Sequence, residues 1–195
     1  MTLQLTKKHS FSTVFDSQKV FRLILEAMSN PTRVVDIKDY ADKLYGDYPA
    51  LLAVAMTLLD NEVNYHVCGS TSLKAEIASL ALAKAGNIEV SDFTFVCNTN
   101  CIEYAIEKAK YGTLTDPHKS ATVIVENNGE PFCRSKFSGP GINGRTECHV
   151  TKTVNEAIAI RDAQCYEYPQ GIDMLFISSS GELFAIPRLT RMEVQ

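Results

Sequence analysis

The chain has 195 residues, 45% of them hydrophobic and 22% charged, with a formal net charge of −4. That length fills one hydrophobic core and is short for two, so a single domain over residues 1–195 is expected. No basic run exceeds Lys7-Lys8, so nucleic-acid wrapping is excluded, and no apolar run approaches the roughly 20 residues of a membrane span. Residues 1–8 are not followed by an apolar core and a small-residue cleavage site, so no export leader is expected. The six cysteines invite a disulfide reading that suits short secreted chains; here reduced, partly buried cytosolic thiols are expected.

Residues 15–29 form the first expected helix. Val20, Phe21, Ile24, Ala27 and Met28 recur on one face, with Gln18, Arg22, Glu26 and Ser29 on the other. Asn30-Pro31 stops it, because proline disfavours helical geometry in the residue before it. A short strand is expected at 34–37. A second helix opens near Pro49 and runs to Leu59, apolar nearly all round, which implies burial between layers. A strand at 63–67 precedes a third helix over 73–85, capped by Ser70 or Ser72 and ended by Gly86. Strands at 93–97 and 121–125 flank a helix at 102–110. Asn127-Asn128-Gly129 is a turn signal, with 132–137 expected to return as a hairpin partner. Thr153-Val154-Asn155-Glu156 reads as a capping box opening a last helix through about Cys165. Two apolar strands joined by a short Ser/Gly turn close the chain, with Asp173 just inside the first and Arg188 just past the end of the second. Helices and strands alternate early and strands dominate later. The expected class is α/β: a mixed sheet with helices on both faces.

Few constellations carry chemistry. Cys97 and Cys101 are separated by three residues, but Tyr104 stands where an iron–sulfur site would need its third thiolate. A zinc site would need further ligands from His66, Cys68, Cys148 and His149, which nothing in the sequence joins. No metal is expected. A nucleophilic cysteine needs a histidine base; Cys148 and His149, as strand neighbours, would point to opposite faces. No Gly-x-Ser-x-Gly elbow occurs. Ser138-Gly139-Pro140-Gly141 lacks the Lys-Ser/Thr of a phosphate loop, and Pro140 removes an amide donor. It reads as a tight turn, or as a loop lining a ligand or subunit surface. Arg22 can pair with Glu26 one turn on, or bind an anion. Asp60, at the end of the second helix, opposes the helix dipole unless the helix stops before it. Arg188 follows Pro187 at a strand end, where its guanidinium can grip Asp173 on the neighbouring strand.

Five blocks in order carry a family resemblance: Phe21-Arg22 with Ala27-Met28-Ser29-x-Pro31; Leu58-Leu59-Asp60-Asn61; Ser138-Gly139-Pro140-Gly141-Ile142; Pro169-x-Gly171-Ile172-Asp173; and Ala185-Ile186-Pro187-Arg188-x-Thr190. Together they resemble the H subunit of the bacterial carbon–phosphorus lyase (phosphonate-degrading) system. Each block is weak alone; their order and spacing are specific. Residues 70–119 match poorly, Cys97 and Cys101 fall outside the pattern, and Leu189 replaces the first threonine of the usual Pro-Arg-Thr-Thr.

The resemblance implies a fold related to the pyridoxal-phosphate-dependent transferases but without the cofactor. It implies a homodimer that assembles with the G, I and J subunits in a cytoplasmic core complex. Alkylphosphonate there displaces adenine from ATP, giving ribose 1-alkylphosphonate 5-triphosphate. The I subunit is thought to carry that chemistry, which makes this chain a supporting subunit with no catalytic residue and no cofactor; whether it counts as an enzyme stays open. Arg22, Asp60, Gly139, Gly141, Asp173 and Arg188 are the ligand or subunit-interface candidates. One alternative is a phosphonate- or nucleotide-binding module using Arg22 and Arg188 as an anion site near the dimer surface. Another is a lone transferase, which would need a Schiff-base lysine; no lysine stands in such a motif.

Overall fold

The computed structural model describes residues 9–129 and 133–193. Residues 1–8, where no export leader is expected, and the expected hairpin start at Phe132 lie outside them. In chain order the elements are α1 (Phe15–Ser29), β1 (Val35–Asp36), α2 (Lys38–Ala41), α3 (Pro49–Leu58), β2 (Asn64–Cys68), α4 (Thr71–Leu80), β3 (Lys84–Ala85), β4 (Phe93–Val96), α5 (Ile102–Lys108), β5 (Thr122–Glu126), β6 (Cys133–Ser138), β7 (Thr146–Val150), α6 (Lys152–Ala163), β8 (Asp173–Ile177), β9 (Glu182–Ile186) and β10 (Arg191–Glu193).

The main sheet has seven strands in the order β1-β9-β8-β5-β4-β2-β3. From β8 to β3 all neighbours are parallel, while β9 is antiparallel to both β8 and β1. Alternation along the strands sorts the core onto two faces. Ile124, Leu175, Ile177 and Leu183 pack with Val20 and Ile24 of α1, Leu51 and Leu52 of α3, and Leu73 of α4. Val123, Val125, Met174 and Phe176 pack with Ile106 of α5 and with Val154 and Ile158 of α6. The expected mixed α/β sheet is thus present, and covering on both faces explains the unbroken apolar runs of β5 and β8. A second sheet, β10-β6-β7, adds Phe137 and Val150 to the second face.

Sequence and structure differ at several elements. In α1, Val20, Ile24 and Ala27 are buried as expected, but Phe21 is 44% exposed. At about 100° per residue it sits on the flank of the stripe rather than at its centre. Helix α4 stops at Leu80 because residues 84–85 leave the helix to pair with Asn64 and Tyr65. Strand β6 is not a hairpin partner of β5, whose two edges are already filled by parallel β4 and β8; it pairs with β7 and β10. The cap of α6 is Thr151, whose Oγ1 accepts from the Val154 N–H at 3.2 Å, two residues before the expected capping box. Ser70 does cap α4, accepting from Leu73 N–H at 3.1 Å. Among the described residues no helix is long and apolar enough to cross a membrane.

Candidate functional site

Four of the six candidates meet at the amino-terminal edge of the parallel strands. Asp173 is the first residue of β8 and Arg188 lies just past the end of β9. The antiparallel register pairs Met174 with Ile186, which brings Arg188 beside Asp173. Arg188 Nη2 donates to Asp173 Oδ2 at 2.7 Å and Nε to Oδ1 at 3.3 Å, while the Arg188 backbone N–H donates to Oδ1 at 2.8 Å. This is the two-pronged bond that suits a guanidinium fork. The remaining prong, Nη1, donates to the Pro117 carbonyl. Asp173 is buried, so a charge withdrawn from water is compensated on the spot.

The Gly139–Ile142 segment is a type II β-turn. Ile142 N–H donates to Gly139 O at 3.1 Å, Pro140 is the second residue, and Gly141 has φ +84°. Both glycines are required by close approach as well as by dihedral. A Cβ on Gly139 would stand 2.7 Å from Leu189 O, and one on Gly141 2.8 Å from Ser29 O and 2.9 Å from Pro31 Cδ. Three blocks far apart in sequence, around Pro31, Gly139–Gly141 and Pro187–Thr190, therefore interlock at one place.

The residue that holds this place together is Arg161, which the sequence reading missed. Its side chain is fully buried on α6. Nη1 donates to Ile186 O at 3.2 Å and Pro187 O at 3.3 Å, and Nη2 to Thr190 O at 2.5 Å. Asp162 Oδ1 receives both Nε and Nη2 of Arg161, and also Nη1 of Arg191. Burial pulls the Arg161 pKa below its ordinary value, and the Asp162 carboxylate opposes that shift. A signal did exist: Val154, Ala157, Ile158 and Arg161 form the buried stripe of α6, so an arginine occupies a core position of the helical repeat. Thr190 is fully buried. Its Oγ1 has no hydrogen-bond partner among the described residues.

Arg22 and Asp60 do not join this group. Arg22 is exposed on α1, and Glu26, its expected partner, pairs with Arg33 at 2.8 Å instead. Glu26 and Arg33 are brought together because the chain turns back after Pro31. Helix α3 ends at Leu58 with Leu59 extended, so Asp60 lies outside the helix. Its Oδ1 accepts from Glu62 N–H at 2.8 Å in the exposed turn.

The thiols carry no visible chemistry. All six cysteines are free. Cys97 packs on the α1/α3 face of the sheet and Cys101 on the α5/α6 face. Burial pushes the Cys97 thiol up to about 12 and those of Cys68 and Cys148 up to about 11. Such thiols stay protonated near neutral pH and make poor nucleophiles. Among the described residues no group of three or more His, Cys, Asp or Glu side chains is placed to hold a metal ion.

The model of the bacterial phosphonate metabolism protein family (PhnH) matches residues 9–193. The chain belongs to that family. It is also 27% identical over 185 residues to the putative C-P lyase subunit protein HtxG of Stutzerimonas stutzeri, covering 91% of this chain and 86% of the relative. The match includes the poorly matching middle as well as the five blocks, which ties the whole described fold to phosphonate metabolism.

Proposed function

We propose that this chain is a supporting subunit of a carbon–phosphorus lyase core complex in organic phosphonate catabolism. On this reading it is a single-domain cytoplasmic protein that acts beside G, I and J subunits. It forms a homodimer and shares the fold plan of the pyridoxal-phosphate transferases without using the cofactor. It assists the formation of ribose 1-alkylphosphonate 5-triphosphate from ATP and alkylphosphonate without performing that step alone. Family membership supports the phosphonate context, and the C-P lyase naming of HtxG supports the complex.

The observation that carries the non-catalytic part is the saturation of the two arginines at the interlocked blocks. Arg188 is held by Asp173 and Pro117, and Arg161 by Asp162 and three carbonyls, so neither guanidinium is free to meet a substrate. What the interlocked blocks offer outward is a shaped rim, Gly139–Gly141 beside Pro187–Thr190, with exposed Arg22 and Asp60 elsewhere on the surface as further contact candidates. We assign that rim to subunit contact rather than to chemistry.

The test is to purify the chain alone and with its partner subunits and to follow adenine release from ATP plus methylphosphonate. Release is expected only with the partners present, together with co-purification of the assembly. Steady release by this chain alone, abolished by a point change in it, would overturn the reading.

A further inference from the structure

At the opposite edge of the sheet, beyond the carboxyl ends of β5 and β8, lies a cleft of about 400 Å³. This volume lies within the range of small-ligand sites, and the carboxyl ends of parallel strands are where open α/β sheets bind ligands. The walls come from Asn127 and Asn128 after β5, Ser178–Ser180 after β8, and His149 to Thr151 at the junction of β7 and α6. Gly129, Phe184, Val34 and Glu182 also line it.

Part of this polar lining is already engaged. Thr151 Oγ1 donates to Asn127 Oδ1 at 2.5 Å, and Asn128 Oδ1 accepts from Ser179 N–H at 2.7 Å. Ser178 Oγ lies 2.7 Å from Ser180 Oγ. These bonds fix the two loops and Thr151. Several groups then remain without a hydrogen-bond or ion-pair partner among the described residues: the Asn127 amide NH2, the His149 ring, the Ser179 hydroxyl and the Glu182 carboxylate. His149, Ser179 and Glu182 are exposed. The set contains donors, acceptors and groups that serve as both. Among the described residues no lysine or arginine lines the cleft, and the Glu182 carboxylate would repel an anion. Phe184, half-buried and stacked on Phe176 at 5.2 Å, and exposed Val34 add an apolar wall.

We infer that this cleft binds a neutral polyhydroxylated ring, a sugar with vicinal hydroxyls. A carboxylate accepts from two adjacent hydroxyls, as an acidic residue does for a ribose in dinucleotide sites. The amide, imidazole and serine groups meet the remaining oxygens, and the C–H face of the ring lies on Phe184 and Val34. Among the described lining residues a phosphate finds no lysine or arginine. The assignment is independent of the subunit reading above, because it concerns binding by the chain itself.

The experiment is saturation-transfer NMR and calorimetry on the purified full-length chain. The probes are methyl β-D-ribofuranoside, its 2-deoxy analogue and inorganic phosphate. The ribofuranoside is expected to bind with millimolar or better affinity, and the deoxy analogue about ten-fold or more weaker, for loss of the paired hydroxyl. Phosphate should not compete. Glu182→Gln, at an exposed side chain with no described partner, should weaken the ribofuranoside about ten-fold without moving the melting temperature. His149→Ala should weaken it to a lesser degree. Absence of ribofuranoside binding overturns the inference, as does equal binding of the two sugars. Competition by phosphate, or full affinity in both variants, does so as well.

Discussion

The two edges of the main sheet are built in opposite ways. At the amino-terminal edge the charged residues Asp173, Arg188, Arg161 and Asp162 are tied to one another or to backbone carbonyls, and glycines admit loops to within van der Waals contact. At the carboxyl edge a cleft keeps an amide, an imidazole, a hydroxyl and a carboxylate without described partners. The signature blocks lie mainly at the first edge. Their role there is architectural: removing Arg161, Arg188 or Asp173 leaves a buried group unpaired, and a side chain on Gly139 or Gly141 displaces a loop. At the second edge a few side-chain bonds fix the loops, and the exposed His149, Ser179 and Glu182 side chains hold nothing else in place among the described residues.

The sharpest way to break this comparison is Arg161→Met. Three carbonyls of the Ile186–Thr190 segment lose their donor at once, and Asp162 keeps only Arg191. We expect a loss of about 2–4 kcal/mol in urea unfolding, with the larger part of the damage in the Pro187–Thr190 turn. A variant that unfolds at the wild-type midpoint would mean that the amino edge is not held from α6.

A second, smaller effect separates clamp from ligand at Arg188. As a clamp, Arg188→Ala should cost about 1–3 kcal/mol, because it leaves the buried Asp173 carboxylate without its fork. Arg188→Lys should recover only part, since an ammonium cannot make the two-pronged bond. If melting is unchanged while complex activity or phosphate-ester binding falls, the anion-site alternative stands and the two edges are less different than their bonding implies.

Much of the amino edge is legible in the sequence because its signals are local. Helix α1 ends where Asn30-Pro31 requires, and α3 begins at Pro49. Asp173 and Arg188 are found together because they flank two strands joined by a short turn, which almost dictates their antiparallel pairing. The failures are those where a distant neighbour decides. Residues 84–85 become a strand only because Asn64 and Tyr65 present an edge to them. The turn signal at Asn127-Asn128-Gly129 is real, but the chain leaves it for another sheet because both sides of β5 are occupied. The carboxyl-edge cleft had no readable motif at all. Its lining comes from residues near 34, 128, 150 and 180, each of which reads alone as a turn, a cap or a strand end; only the sheet order brings them together.

The smallest expected effect tests the same contrast through pH. Glu126 ends β5 at the carboxyl edge, and burial raises its pKa above the ordinary carboxylate value, partly offset by a hydrogen bond from Asn128. The sign is opposite to that of a salt-bridged acid. Between the ordinary value of about 4.3 and the raised folded value, the native chain holds a proton that the unfolded chain has lost. Stability therefore falls as pH rises through that window and stays reduced above it. Glu126→Gln preserves the acceptor for Asn128 and removes the charge. It should be more stable than the parent at pH 7, by a fraction of a kcal/mol, and equal to it below about pH 4, where the parent is protonated in both states. Unfolding midpoints across pH 4 to 8 measure this directly. A parent whose advantage over Glu126→Gln grows with pH would mean that the carboxylate is doing structural work. The carboxyl edge would then be cross-braced like the amino edge, and the contrast between them would fail.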